Sequence, residues 1–235
     1  MPAKRRTRTP VRRVRAPEAT RERIVAAAFA EIHRHGYQAA SLDAILATAG
    51  VTKGALYHHF DDKAALGFAV FDEVVRTLTI ARWTRAVADE TVDPVSALQS
   101  TLQTVATEFA AVRRVAMVAL GCPLNNLAQE MSPLDERFRQ RVAAAFTLWT
   151  DAFADALERG RTAGSVRRDV DARKVAGFIV ASIEGSFGLA KSARSAALLT
   201  ANLEVLSDFL EGLRATAPVP ATVSAGKAAR RTRRR

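Results

Sequence analysis

Residues 41–60 read SLDAILATAGVTKGALYHHF, and this block leaves few structures open. Ser41 stands where a side-chain oxygen caps a short helix over 42–49, with Ile45 and Leu46 turned inward. Gly50 interrupts that helix, and Thr52 is placed to cap a second one over 53–59. Leu56 and Phe60, four apart, supply its buried face. Thr52, Lys53, Gly54, Ala55, Tyr57 and His58 supply a small, polar outward face.

The pattern around this block is helical almost throughout. Upstream, Ile24, Ala28 and Ile32 recur at spacing four, which predicts a helix over about 20–35 stopped by Gly36. Downstream, Asp61 or Asp62 caps a long helix to about 88, with Leu66, Val70, Phe71, Val74, Val75 and Leu78 as one stripe. Asp93-Pro94 opens a helix to about 112, and another covers about 113–120. Gly121-Cys122-Pro123 reads as a break, and Ser132-Pro133 as the start of a long helix ending near Gly164. Asp171 caps a helix to about 193, and the last helix runs over about 196–214. No alternating strand and no fixed-period repeat is evident, so the expected fold class is all-α.

Two short helices joined by a tight glycine turn form the helix-turn-helix pattern, whose second helix enters the DNA major groove. Gly54 fits this reading, because glycine costs about 1 kcal/mol in a helix and is useful where a duplex approaches closely. Tyr57 offers an exposed aromatic hydroxyl within reach of a phosphate. Here the chain resembles the tetracycline-repressor (TetR) family of bacterial regulators. The resemblance covers residues 20 to about 66: the pattern RERIVAAAFAEIHRHGY, the block TKGALYHHFDDKAAL, and in addition the total length. It implies that Lys53, Gly54, Ala55 and His58 face bases or the groove, and that Ser41, Thr52, Tyr57 and Lys63 hold phosphates. It also implies a homodimer, with the last two helices of each copy forming a four-helix bundle. Val175, Phe178, Ile179 and Ile183 line one of these helices, and Leu199, Leu203, Leu206 and Leu210 the other. The partners so implied are a double-stranded operator and a small-molecule effector.

The net charge of +11 is not spread over the chain. Residues 1–16 carry seven cations, among them Arg12, Arg13 and Arg15, and residues 227–235 carry six, with no acid in either stretch. These ends hold +13 and leave −2 for everything between. Both are expected to be disordered when free and to seek a polyanion, or else only to solubilise the chain. Residues 17–66 hold five bases and six acids, so attraction to DNA falls to the N-terminal arm along the backbone or in a minor groove. The expected organisation is a basic arm (1–16), a DNA-binding domain (17–66), a ligand and dimer domain (67–214), and a linker with basic tail (215–235).

The segment GCPLNNLAQEMS (121–132) holds the single cysteine of the chain. It resembles a Gly-Cys…Asn-Leu…Glu segment of a TetR subgroup that responds to small reactive or unsaturated compounds. Cys122 reads either as a small buried hydrophobe or as a sensing thiol; its sequence neighbours give no cause for an activated thiolate. Candidates for a pocket wall are Trp83, Phe109, Met117, Phe146, Trp149, Phe153 and Phe178, each also readable as ordinary core. Asn125, Asn126, Glu130 and Glu184 are the polar groups that would orient a ligand.

Other classes are less well supported. No phosphate-cradling glycine loop, nucleophile elbow or metal-ligand spacing is present, so neither an enzyme nor a cofactor or metal is expected. His58 and His59 are adjacent and point apart on a helix. A basic protein that compacts nucleic acid would explain the tails but not the acidic remainder. No apolar run reaches the roughly 20 residues of a membrane helix, and a lone thiol suits a reducing cytoplasm.

Overall fold

A computed structural model describes residues 16–111 and 115–215. α1 (Ala16–His35), α2 (Leu42–Ala49) and α3 (Lys53–His59) form an N-terminal group. Ile24, Ala28, Ile45, Leu56 and Phe60 make its centre, each no more than 5% exposed. Burying one such large side chain contributes about 1.5–3 kcal/mol, enough to hold helices too short to persist alone. The arm expected over 1–16, with Arg12, Arg13 and Arg15, lies outside the described residues except for Ala16, which opens α1, and so does nearly all of the tail over 215–235.

The long rod that follows keeps its course but changes its winding. α4 (Lys63–Ala69) passes through a π-helical stretch (Val70–Val75) into α5 (Arg76–Val87). A π turn takes up one extra residue, which rotates everything downstream by about 100°. Val70, Phe71 and Val75 point inward as the 3.6-residue period predicts, while Leu78, expected on the same stripe, is turned away and is 53% exposed. Arg21 of α1 donates to both carboxylate oxygens of Glu73 at 2.8 and 2.5 Å, an exposed tie worth about 1 kcal/mol at most.

Above the rod lie α6 (Pro94–Ala110), α7 (Val115–Val118), α8 (Pro123–Met131), α9 (Glu136–Ala163), α10 (Ala172–Ala193) and α11 (Ala196–Glu211). Trp149, Phe153 and Leu157 of α9 are fully buried and form the central pillar. α8 was not foreseen: Pro123 ends one segment but also opens a helix whose Leu124, Leu127 and Met131 are buried. Because α8 runs to Met131, whose carbonyl accepts from Leu134 and Asp135 N–H, Pro133 falls in a turn. The cap of α9 is Asp135, not Ser132. α11 ends at Glu211 rather than Arg214, since Leu213 O accepts from Arg167 N–H and Arg214 Nη1 reaches Asp93 at 2.6 Å.

Candidate nucleic-acid interface and effector cavity

Local chemistry builds the helix-turn-helix. Ser41 Oγ accepts from Ala44 N–H at 3.3 Å, and Thr52 Oγ1 accepts from Ala55 N–H at 3.3 Å. Gly50, at φ +62°, ends α2 in the left-handed region that a side chain disfavours. Leu56 and Phe60 anchor α3, which leaves Thr52, Lys53, Gly54, Tyr57 and His58 exposed and Ala55 half-buried. Lys53 Nζ sits 6.0 Å from the Tyr57 ring centroid, so a cation and a hydroxyl share one edge. Ser41 and Thr52 accept with their oxygens, which keeps each O–H free to donate outward.

Lys63 is placed differently from the expectation. Its ammonium donates to Gln38 O at 3.0 Å and Ala40 O at 2.8 Å and lies 5.2 Å from the Tyr37 ring centroid. Its first task is to clamp the turn between α1 and α2.

A cavity of about 190 Å³ opens where α1 meets α5, α6, α7, α8 and α10. Trp83, Phe109 and Met117, all candidates for a pocket wall, line it together with Cys122; so do Phe29, His33 and Phe187, which are not among those candidates, and Leu78, expected in the core. Phe29 and His33 stand four apart on α1, a stacked aromatic pair at helical spacing. Trp149 and Phe153 stand behind the wall instead: Trp149 stacks on Trp83 at 5.4 Å, and both are fully buried. Phe146 packs on the core from α9, and Asn125 lies half-buried on α8 outside the wall. Phe178 is 53% exposed and meets Phe209 edge-on at 5.1 Å, far from a ligand-wall role.

Polar groups at the cavity are held by the protein. Cys122 is buried, and its thiol donates to Glu184 Oε1 at 3.2 Å. Burial, then the neighbouring carboxylate, pushes the Cys122 thiol well above its ordinary pKa, which opposes a thiolate. Burial likewise pushes the Glu184 carboxyl up to about 7. Glu184 Oε2 finds no partner among the described residues. His33 Nε2 is 3.0 Å from Gly121 O, and burial lowers its pKa. Among the described residues no cluster of three or more His, Cys, Asp or Glu can hold a metal ion.

Residues 24–70, the helix-turn-helix with its flanking helices, match the family model of bacterial regulatory proteins, tetR family. Residues 94–204 match that of the C-terminal domain of LmrA/YxaF-like transcriptional regulators. The repressor DhaR of Mycobacterium sp. (strain GP1) is 31% identical over 179 residues, 74% of this chain and 80% of DhaR. The chain belongs to the TetR family. It is a ligand-responsive, DNA-binding transcriptional regulator, and its family is not one of enzymes. The regulator AcuR of Cereibacter sphaeroides is 28% identical and covers 86% of this TetR-family chain and 85% of its own. A TetR regulator from Chloroflexus aurantiacus superposes at TM-score 0.74, 27% identical, over 87% of this chain and all of its own. Reduced NemR of E. coli shares the fold at TM-score 0.72, 24% identical, over 85% and 99% of the two chains. These relationships do not favour a nucleic-acid-compacting protein. No helix among the described residues is long and apolar enough to cross a membrane.

Proposed function

We propose that this regulator is a homodimeric repressor that reads a two-fold operator with α3 of each copy and lets go when a small molecule fills the cavity. The observation that carries the reading is the outward face of α3: Lys53, Gly54, Tyr57 and His58 exposed together over a buried Leu56 and Phe60. Lys53 and His58 are suited to base edges, and Gly54 and Ala55 let the duplex come close. Ser41, Thr52 and Tyr57 offer hydroxyls to phosphates, with Lys63 in a supporting place behind them. Arg12, Arg13 and Arg15 supply non-specific attraction ahead of α1, and each phosphate they meet adds about 0.9 to the salt slope of binding.

Two reading heads about 34 Å apart need a dimer. The exposed Phe178 and Leu189 of α10 and Val205 and Phe209 of α11 support one. The effector is small and largely apolar, because aromatic, aliphatic and thioether side chains together make most of the wall, with Thr79 and Arg82 at its edge. Residues 17–66 form the reading head and 67–214 the effector and dimer domain.

The test is selection of genomic fragments by the purified chain, followed by footprinting. A short palindrome should be protected, and Lys53→Ala with Tyr57→Ala should abolish its preference over random DNA. Selectivity that survives the double substitution, or even coating of all DNA, overturns the reading.

A further inference from the structure

The C-terminal end of α1 and the segment carrying α8 meet at two anchor points. Near the cavity, His33 Nε2 sits 3.0 Å from Gly121 O, just ahead of Pro123. At the far end, Glu130 Oε2 accepts from Tyr37 N–H and Glu130 Oε1 from Gln38 N–H, both at 2.8 Å. The upper anchor, Gly121, stands two residues ahead of α8, and from Pro123 to Glu130 the helix is a rigid span of about 10 Å. Phe29, Ile32 and His33 of α1 face Pro123, Asn126, Leu127 and Glu130 across the seam.

The lower anchor is built with care. Gly36, at φ +85°, ends α1, and a Cβ there would come within 2.9–3.0 Å of the Glu130 oxygens. A side chain at position 36 would crowd the carboxylate as it reaches the Tyr37 and Gln38 N–H groups of the turn that follows α1, and would strain the left-handed backbone there. The same turn is gripped from the other side by Lys63, on Gln38 O and Ala40 O, and ends at Ser41, the cap of α2. Whatever moves Glu130 therefore moves the start of the helix-turn-helix.

We propose that Glu130 is the positioning residue that sets the angle of the reading head, and that cavity occupancy reaches the DNA face through α8 and this carboxylate. Filling the cavity displaces the Cys122–Pro123 end of α8, and the short helix carries the shift to Tyr37 and Gln38. The inference rests on the repressor reading for its purpose, but the latch itself can be tested without DNA.

Four proteins suffice: the wild type, Glu130→Gln, Met117→Trp as a cavity-filling stand-in for the effector, and the double variant. Glutamine keeps the shape but turns an amide NH2 toward a backbone N–H. In Glu130→Gln, exchange of the Tyr37 and Gln38 amides should quicken by about ten-fold, as for loss of a charge-assisted hydrogen bond, while α9 stays protected. Affinity for the selected operator should fall by about ten-fold, with random duplex changed by less than about two-fold. Met117→Trp should quicken the same two amides, and its effect on the operator should vanish in the Glu130→Gln background. Wild-type exchange at both amides in the filled-cavity protein overturns the route through α8. An operator affinity for Glu130→Gln within about two-fold of wild type overturns the positioning role. If no variant, nor the wild type, selects any duplex, the repressor reading fails instead, and the exchange data still decide the latch.

Discussion

Gly54 is a gap on α3 that the protein itself does not need. A Cβ added there would meet only Thr52 Oγ1, at 3.9 Å. Gly54→Ala should accordingly stabilise the fold by up to about 1 kcal/mol, read as a higher melting temperature. The same methyl group should weaken operator binding, since it occupies the space a groove wall would take. A stabler protein with unchanged operator affinity would place the DNA elsewhere. Glu184 is buried and accepts from the Cys122 thiol. Its folded pKa of about 7 lies above the ordinary 4.5, so the folded protein holds more protons than the unfolded chain between those values. Stability should then fall as pH rises from about 4.5 to about 7 and stay low above that. Glu184→Gln should flatten this slope and melt higher than wild type at pH 8, by at most about 3 kcal/mol. Parallel melting curves for the two proteins across that range would show that Glu184 is not protonated in the fold. Cys122 stays a neutral donor throughout, because burial raises its own pKa.

Elements whose signals are local were legible in the chain. α2 and α3 begin and end as expected because Ser41, Gly50 and Thr52 each act within three residues of themselves. Signals that depend on a distant partner were not. Gly121-Cys122-Pro123 reads as an end, yet the same proline starts α8, and what confirms the helix is burial of Leu124 and Leu127 under other elements. The π stretch at Val70–Val75 is invisible to a 3.6-residue period, so Leu78 was assigned to the wrong side. At the cavity, aromatic content picked out Trp83 and Trp149 alike. Only packing reveals that one faces the void and the other stands behind it. Phe29 and His33 carry no such signal, because they lie in the stretch 17–66 assigned to DNA reading, whereas the cavity lies at its border. Glu130 was picked as a ligand-orienting group, but its partners are two backbone amides more than ninety residues away.

At the scale of the molecule, one protomer leaves its last two helices half used. Ile179, Ile183, Leu199, Leu203, Leu206 and Leu210, expected to line the dimer bundle, are buried within the protomer. The opposite faces carry Phe178 and Leu189 on α10 and Val205 and Phe209 on α11, from 39% to 69% exposed. Between Phe178 and Leu189 the outer face of α10 runs through Ala181 and Gly185, small and uncharged, so another helix can approach closely. Large apolar side chains exposed together in this way are uncommon on a monomer and are suited to meeting a second copy. In a two-fold interface every residue is present twice, so one substitution counts twice. Leu189→Glu with Val205→Glu should therefore sediment at the protomer mass with helical content unchanged. Its operator affinity should fall by at least about a hundred-fold, because the second reading head then gains nothing from the first. A variant that remains dimeric and keeps its operator would move the interface off these helices. It would also leave Phe178 and Phe209, in edge contact on the open surface, without an explanation.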